Sequence, residues 1–169
     1  MKEILIDESS PLFDKKNLEY REFFSDYSRI RHNTLILISS APSRIKDTNL
    51  LEQQVSELIR NGVTHGNKYD PHLIIKVWFS FSNEEARFIV EDQGDGFKEI
   101  KKWNEFNRKR MECLINQDYD RLENYISFRS SSSKSSDGGN ALFAALEYWN
   151  AGFVFNNKGN AVAAKKIFD

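Results

Sequence analysis

The chain holds one cysteine, three prolines and a net charge of only −1, and each shortage removes a class of protein. A lone cysteine, Cys113, closes no intramolecular disulfide, and no cysteine–histidine spacing suggests a zinc site. Its expected place is as a buried filler on a helix. With 24 basic against 25 acidic residues there is no global field to attract nucleic acid or an anionic membrane. No apolar run approaches the roughly 20 residues of a membrane span. The opening Met1-Lys-Glu-Ile-Leu-Ile-Asp7 has a short apolar run broken by acids and does not read as a signal peptide. These absences leave a cytoplasmic globular protein as the expectation, with neither nucleic acid nor membrane as a direct partner.

What is present suffices for one core. Hydrophobic residues make up 40% of the 169 positions and aromatics 13%, enough for a single domain over 1–169 that buries about two-thirds of its unfolded surface. Residues 3–6 read as a short strand. Leu18, Tyr20, Phe23, Phe24, Tyr27 and Ile30 recur at mostly helical spacing and predict a helix from Asn17 to about Arg31. Thr34-Leu-Ile-Leu-Ile-Ser39, continuous, apolar and partly β-branched, reads as a buried strand. The clearest helix follows: Asp47, Thr48 and Asn49 offer N-caps, and Leu50, Leu51, Val55, Leu58, Ile59 and Val63 trace an apolar stripe. It fades at the turn cluster Gly66-Asn-Lys-Tyr-Asp-Pro71.

Residues 73–81 and 86–91 read as strand, turn, strand, with the loop Asp92-Gln-Gly-Asp-Gly96 directly after. A basic helix is expected over 98–117, a second over 119–126, and an apolar helix over 140–149. A closing hairpin is expected over 152–155 and 161–168. Helices that interrupt a sheet with two hairpins point to an α+β, two-layer sandwich. Its mixed sheet is covered by helices on one face, which suits this order better than βαβ alternation.

Three short constellations carry the chemistry. Glu57 and Asn61 stand four residues apart on one helix face, where an amide oxygen can bind a hard cation and a carboxylate can activate a hydroxyl. Such pairs are also common on ordinary solvated helices. Asp92 can accept a hydrogen bond from an exocyclic amine, and Gly94 and Gly96 allow a ligand close to the backbone. A simple turn after a strand accounts for that loop equally well. Gly138 and Gly139, after the serine-rich stretch from Arg129, precede a helix whose first N–H groups can meet phosphate oxygens. A flexible linker with a normal helix start is the ordinary explanation.

In this order the three are far more specific than singly. Glu57-Leu-Ile-Arg-Asn61-Gly-Val-Thr-His65-Gly66, then a hairpin, then Glu91-Asp-Gln-Gly-Asp-Gly96, then a polar segment and Gly138-Gly139, resembles the N, G1 and G2 boxes of the Bergerat-fold ATPase superfamily. That superfamily holds the gyrase, chaperone, histidine-kinase and mismatch-repair ATPases. The trailing His65-Gly66 is most similar to the anti-sigma-factor serine kinases. The resemblance spans about residues 45–168, and the first 40 form an extra strand and helix segment without a counterpart motif.

By resemblance, Asn61 would bind Mg²⁺, Glu57 would act as the catalytic base and Asp92 would read adenine. Gly94 and Gly96 would form the adenine-side loop, and Gly138 and Gly139 would approach the phosphates of ATP. His65 would either contact the nucleotide or cap the helix end. The resemblance implies a serine/threonine kinase acting on a regulatory protein partner, of the anti-sigma-factor antagonist or sigma factor type, in a partner-switching pathway. The alternative is a nucleotide-responsive binding module without phosphotransfer. A homodimer is compatible with either. The stretch 129–139 would serve as a lid that nucleotide orders. Two departures stand out: Ala141 occupies a position where the family has glycine, and the connection from Gly96 to Gly138 is long. The latter carries a net +4 over residues 98–110, read as a solvated helix face before a partner-docking surface.

Overall fold

A computed structural model describes residues 2–45, 47–128 and 137–169, and the side chains of all of these except 137–139. Its sheet is organised around the hairpin of β3 (Ile74–Phe81) and β4 (Glu85–Glu91), whose register sets Val77 opposite Val90 and Phe79 opposite Phe88. Strict alternation along β3 sends Ile75, Val77 and Phe79 to a buried face and Lys76, Trp78 and Ser80 to the other. Next to β4 runs β6 (Ala161–Ile167), with Val162 beside Val90 and Ala164 beside Phe88, and β5 (Gly152–Phe155) pairs with β6 as the expected hairpin. Two edges complete the sheet. β2 (Glu19–Phe24) lies antiparallel to β3, and the short β1 (Leu5–Ile6) lies parallel to β5. The order β1-β5-β6-β4-β3-β2 is therefore mixed, with one parallel pairing.

Helices cover the buried face. α1 (Ile30–Ile38), α2 (Thr48–Asn61), α3 (Ile100–Ile115) and α5 (Asp137–Tyr148) contribute to one core with the strands. α2 supplies Leu51, Val55, Leu58 and Ile59 at the predicted spacing. Each such side chain, fully buried, stabilises the fold by about 1.5–3 kcal/mol relative to exposure. α3 and α5 meet through rings: Phe143 lies 4.9 Å from Trp103 and 6.1 Å from Phe106, which also touches Phe128 edge-on at 5.4 Å. The short α4 (Tyr119–Leu122) follows α3, as expected, and Cys113 is buried on α3. The architecture is thus α+β and compatible with a two-layer sandwich.

The N-terminal segment holds the opposite face. Leu12 lies against Gly152, the Lys15 ammonium sits 3.6 Å over the Trp78 ring, and Arg87 Nη2 donates to the Asp14 carbonyl at 2.7 Å. Beneath it Ile89 and Ala163 are buried although they point away from the helices.

Two expectations fail here. The predicted helix from Asn17 to Arg31 is instead the edge strand β2, a 3₁₀ turn at Tyr27–Arg29 and the start of α1. Ladder pairing to β3 puts Phe23 beside Ile75 and leaves Tyr20 and Phe24 exposed, so tertiary pairing overrides an apparently helical spacing. The predicted strand over 34–39 is the body of α1. Its buried residues are Ile30, Asn33, Thr34, Leu37 and Ile38, a helical stripe visible only when the window opens before Thr34. The apolar helix expected from residue 140 begins at Asp137, so Gly138 and Gly139 belong to its first turn. The expected lid falls mainly on residues 129–136, outside the described residues.

Candidate functional site

α2 does not stop cleanly. It widens into a π-type turn at Gly62–Gly66, closed by the Asn67 N–H donating to the Gly62 carbonyl at 2.7 Å. Single π turns interrupting a helix are frequent at functional sites. Gly62 and Gly66 stand four residues apart, and both face the sheet. A Cβ on Gly62 would come within 2.9 Å of Ile75 Cδ1, and one on Gly66 would strike the carboxylate of Asp92. Gly94 completes the seam, since a Cβ there would strike the Gly66 carbonyl. Three glycines thus let the helix end lie directly on the loop after β4.

Asp92 is fixed at this crossing by its backbone. Its N–H donates to the Asn160 carbonyl at 2.9 Å, and its own carbonyl accepts from Asn160 Nδ2 at 2.7 Å. Asn160 is oriented in turn by Asn156, whose Nδ2 donates to Asn160 Oδ1 at 2.9 Å. On the other side, Asn67 Oδ1 accepts from the Gln93 N–H at 2.8 Å, and Gln93 Oε1 accepts from the Ile74 N–H at 2.6 Å. Asp92 Oδ1 accepts from the Gly94 N–H at 2.8 Å. Burial nevertheless dominates and lifts the Asp92 carboxyl from 3.8 to about 6, against the Gly94 bond and the Lys158 charge and together with repulsion from Glu91.

Beside Asp92 opens a cavity of about 520 Å³, within the range of small-molecule sites. Leu58, Val90, Phe128, Leu142, Phe155 and Val162 give it apolar walls. Asn61, Thr64, His65 and Asn160 are among its polar residues, Asp92 and Glu99 its acids, and Lys68 and Lys98 its cations. Gly96 closes one side at φ +88°, where its α-carbon lies against the Lys158 carbonyl, and the Phe97 N–H donates to the Gly159 carbonyl at 2.9 Å. Only glycine is free of strain in that conformation.

Of the residues singled out from sequence, Asn61, His65, Asp92 and Gly96 line this one cavity. Gly94 backs it through its contact with Gly66 and Asp92. Gly138 and Gly139 lie in the first turn of α5, one turn before the cavity-lining Leu142. Glu57 is not in the lining. It stands one turn before Asn61, half-exposed, with Oε1 4.0 Å from Arg60 Nε.

Sequence reasoning missed Asn67 and Asn160. Both lie in segments read only as turns, and their one signal is asparagine flanking a glycine next to a motif. The basic run on α3 resolves into local contacts, as a solvated face would. Lys102 pairs with Glu99 at 3.3 Å, Lys109 with Glu105 at 3.0 Å, and the Arg110 guanidinium lies 4.5 Å over the Phe143 ring.

Among the described residues no cluster of three histidine, cysteine or carboxylate side chains could hold a metal by itself, and no helix is long and apolar enough to cross a membrane. No family model matches the chain, and no curated protein matches it in sequence.

Proposed function

We propose that the cavity binds an adenine nucleotide and that the chain is a Bergerat-type ATP-binding protein. The observation that carries this reading is the carboxylate of Asp92, partly buried on a seam of glycines beside a cavity with apolar walls. A flat heteroaromatic ring fits between such walls, and a fixed carboxylate oxygen meets its exocyclic amine. The glycines at 62, 66 and 94 let the helix end close on the loop after β4, and that close packing is what holds the Asp92 carboxylate at the cavity.

Magnesium fits only as a shared ion. Asn61 offers one amide oxygen from the cavity lining, and the remaining ligands would be phosphate oxygens and water, the usual arrangement for this hard cation. Bound there, the ion would neutralise charge on the phosphates. On this reading Asn61 holds the metal, Asp92 reads the base, and the first turn of α5 offers N–H groups to anionic oxygens.

The reaction we assign is phosphorylation of a serine or threonine hydroxyl on a regulatory protein partner, with Glu57 taking the hydroxyl proton. A second reading, a nucleotide-responsive binding module without phosphotransfer, is favoured by two observations. Glu57 is absent from the cavity lining and lies beside Arg60, and Ala141 puts a methyl group in the second turn of α5. Calorimetric titration of the full chain with Mg·ATP and Mg·ADP tests the shared part of both readings. Saturable binding of both is expected. No heat and no thermal shift with either nucleotide at millimolar concentration, on folded protein, would refute it.

A further inference from the structure

The turn at the rim of the cavity is built against the preferences of its own residues. Lys68 and Tyr69 have φ of 52° and 63°, the left-handed region that long side chains seldom adopt. The helix end imposes it. The Tyr69 N–H donates to the Val63 carbonyl at 2.9 Å, six residues back, and so closes the turn that follows the π-type end of α2. Tyr69 has an anchor, because its ring lies 5.5 Å from that of Tyr27. Lys68 is exposed, makes no ion pair with another described residue, and lines the cavity. Bulky residues held in this conformation gather at ligand sites, where surrounding structure enforces them.

The charge a nucleotide brings needs a counterpart. The other lysine in the lining, Lys98, already donates from its ammonium to the Lys158 carbonyl at 3.3 Å. From the left-handed turn, the cavity lining and this division of the cations, we infer that Lys68 is a phosphate-contacting residue of the site. It stands where glycine would be the more stable choice. The inference rests on the adenine-nucleotide reading and adds to it a residue outside the three motif boxes.

The test compares wild type with Lys68→Gly and Lys68→Arg in the full chain, using Mg·ADP and adenosine as probes. Lys68→Gly relieves the left-handed backbone and is expected to raise the melting temperature by about 2–4 °C. The same variant should bind Mg·ADP on the order of tenfold more weakly and adenosine as wild type does. Lys68→Arg should retain the affinity for Mg·ADP. An ADP-to-adenosine ratio unchanged by Lys68→Gly, or an equal loss for both probes, overturns the assignment. A lower melting temperature for Lys68→Gly refutes the idea that lysine is held there against the fold. Wild type that binds neither probe fails at the earlier step and removes the nucleotide reading with it.

Discussion

Gly66 lies so close to the carboxylate of Asp92 that no side chain fits between them. One residue ends the turn after α2 and the other follows β4, 26 positions later, so this contact joins two distant segments at the wall of one cavity. Everything near it serves the approach: Gly62 against Ile75, Gly94 against the Gly66 carbonyl, and Asn67 bonded to the Gln93 N–H.

Gly66→Ala should therefore damage the site without any backbone conflict, since Gly66 has no positive φ. The added methyl must displace Asp92 or open the seam, and overpacking of this kind costs about 1–3 kcal/mol. Chemical denaturation should show that loss, and Mg·ADP binding should fall below detection. Unchanged nucleotide affinity in Gly66→Ala would mean that the ligand does not depend on where Asp92 is held.

Asp92→Asn should move stability and binding in opposite directions. The folded carboxyl binds its proton more tightly than the unfolded one, about 6 against 3.8, so the folded state carries more protons between those values. Stability therefore declines as pH rises through that window, and the penalty is complete above it. Asparagine carries no charge to desolvate. The variant should be more stable than wild type at pH 7–8, by on the order of 1–2 kcal/mol after allowing for partial solvent screening, and the gap should close near pH 4. Adenine nucleotide binding should weaken, because asparagine can turn a donor toward the exocyclic amine. Urea melts at pH 4 and pH 7.5 read the first effect, and a nucleotide titration at pH 7.5 reads the second.

Asn67→Ala tests the other side of the clamp. The side chain is 2% exposed, accepts from the Gln93 N–H at 2.8 Å and donates to the Ile74 carbonyl at 3.2 Å. Removing it leaves a donor and an acceptor without that partner, which costs about 1–3 kcal/mol. Hydrogen exchange should quicken at Gln93, whose N–H loses its acceptor, while amides in the centre of β6 stay protected. Uniform acceleration across the sheet would assign Asn67 to global stability alone.

The helix from Thr48, the β3–β4 hairpin, the β5–β6 hairpin and the glycine loop at 92–96 were legible because each carries its own local period or punctuation. The stripe Leu51, Val55, Leu58 and Ile59 needs no partner to be recognised, and Asp92-Gln-Gly-Asp-Gly96 follows a strand marked by the apolar run Phe88-Ile-Val90. The first 40 residues were misread for a related reason. β2 has only Phe23 as a substantial inward apolar group, beside Glu19 and Arg21, so its strand character comes from β3 and not from its own pattern. The stripe of α1 contains Asn33, a buried polar residue at which the apolar reading stops, and Thr34, which reads in sequence as the start of a strand. The site showed the same division. Glycines and the acid announced themselves, whereas Asn67 and Asn160 act through backbone groups of Gln93, Ile74 and Asp92, and such partners have no signature in sequence.

Glu57→Ala separates the two functions assigned to the same cavity. Glu57 is half-exposed, and its one ion pair among the described residues, to Arg60 at 4.0 Å, is a surface contact worth about 0–1 kcal/mol. Its removal should leave the fold and Mg·ATP affinity close to wild type, because Asn61 and Asp92 remain in the lining. If Glu57 takes the proton from a partner's hydroxyl, the variant should lose phosphotransfer by on the order of 10²–10⁴. The partner is first captured from native cells in parallel with and without nucleotide, then offered to both proteins with labelled ATP. A wild type that binds Mg·ATP and holds its partner, yet transfers no phosphate over hours, would sink the kinase assignment. The placement of Glu57 beside Arg60 and outside the lining would then describe a finished binding module. Transfer by wild type and not by Glu57→Ala would instead require the glutamate to swing from Arg60 toward the cavity when the partner docks. In that case Arg60→Ala, which frees Glu57 from its ion pair, should leave transfer intact or speed it.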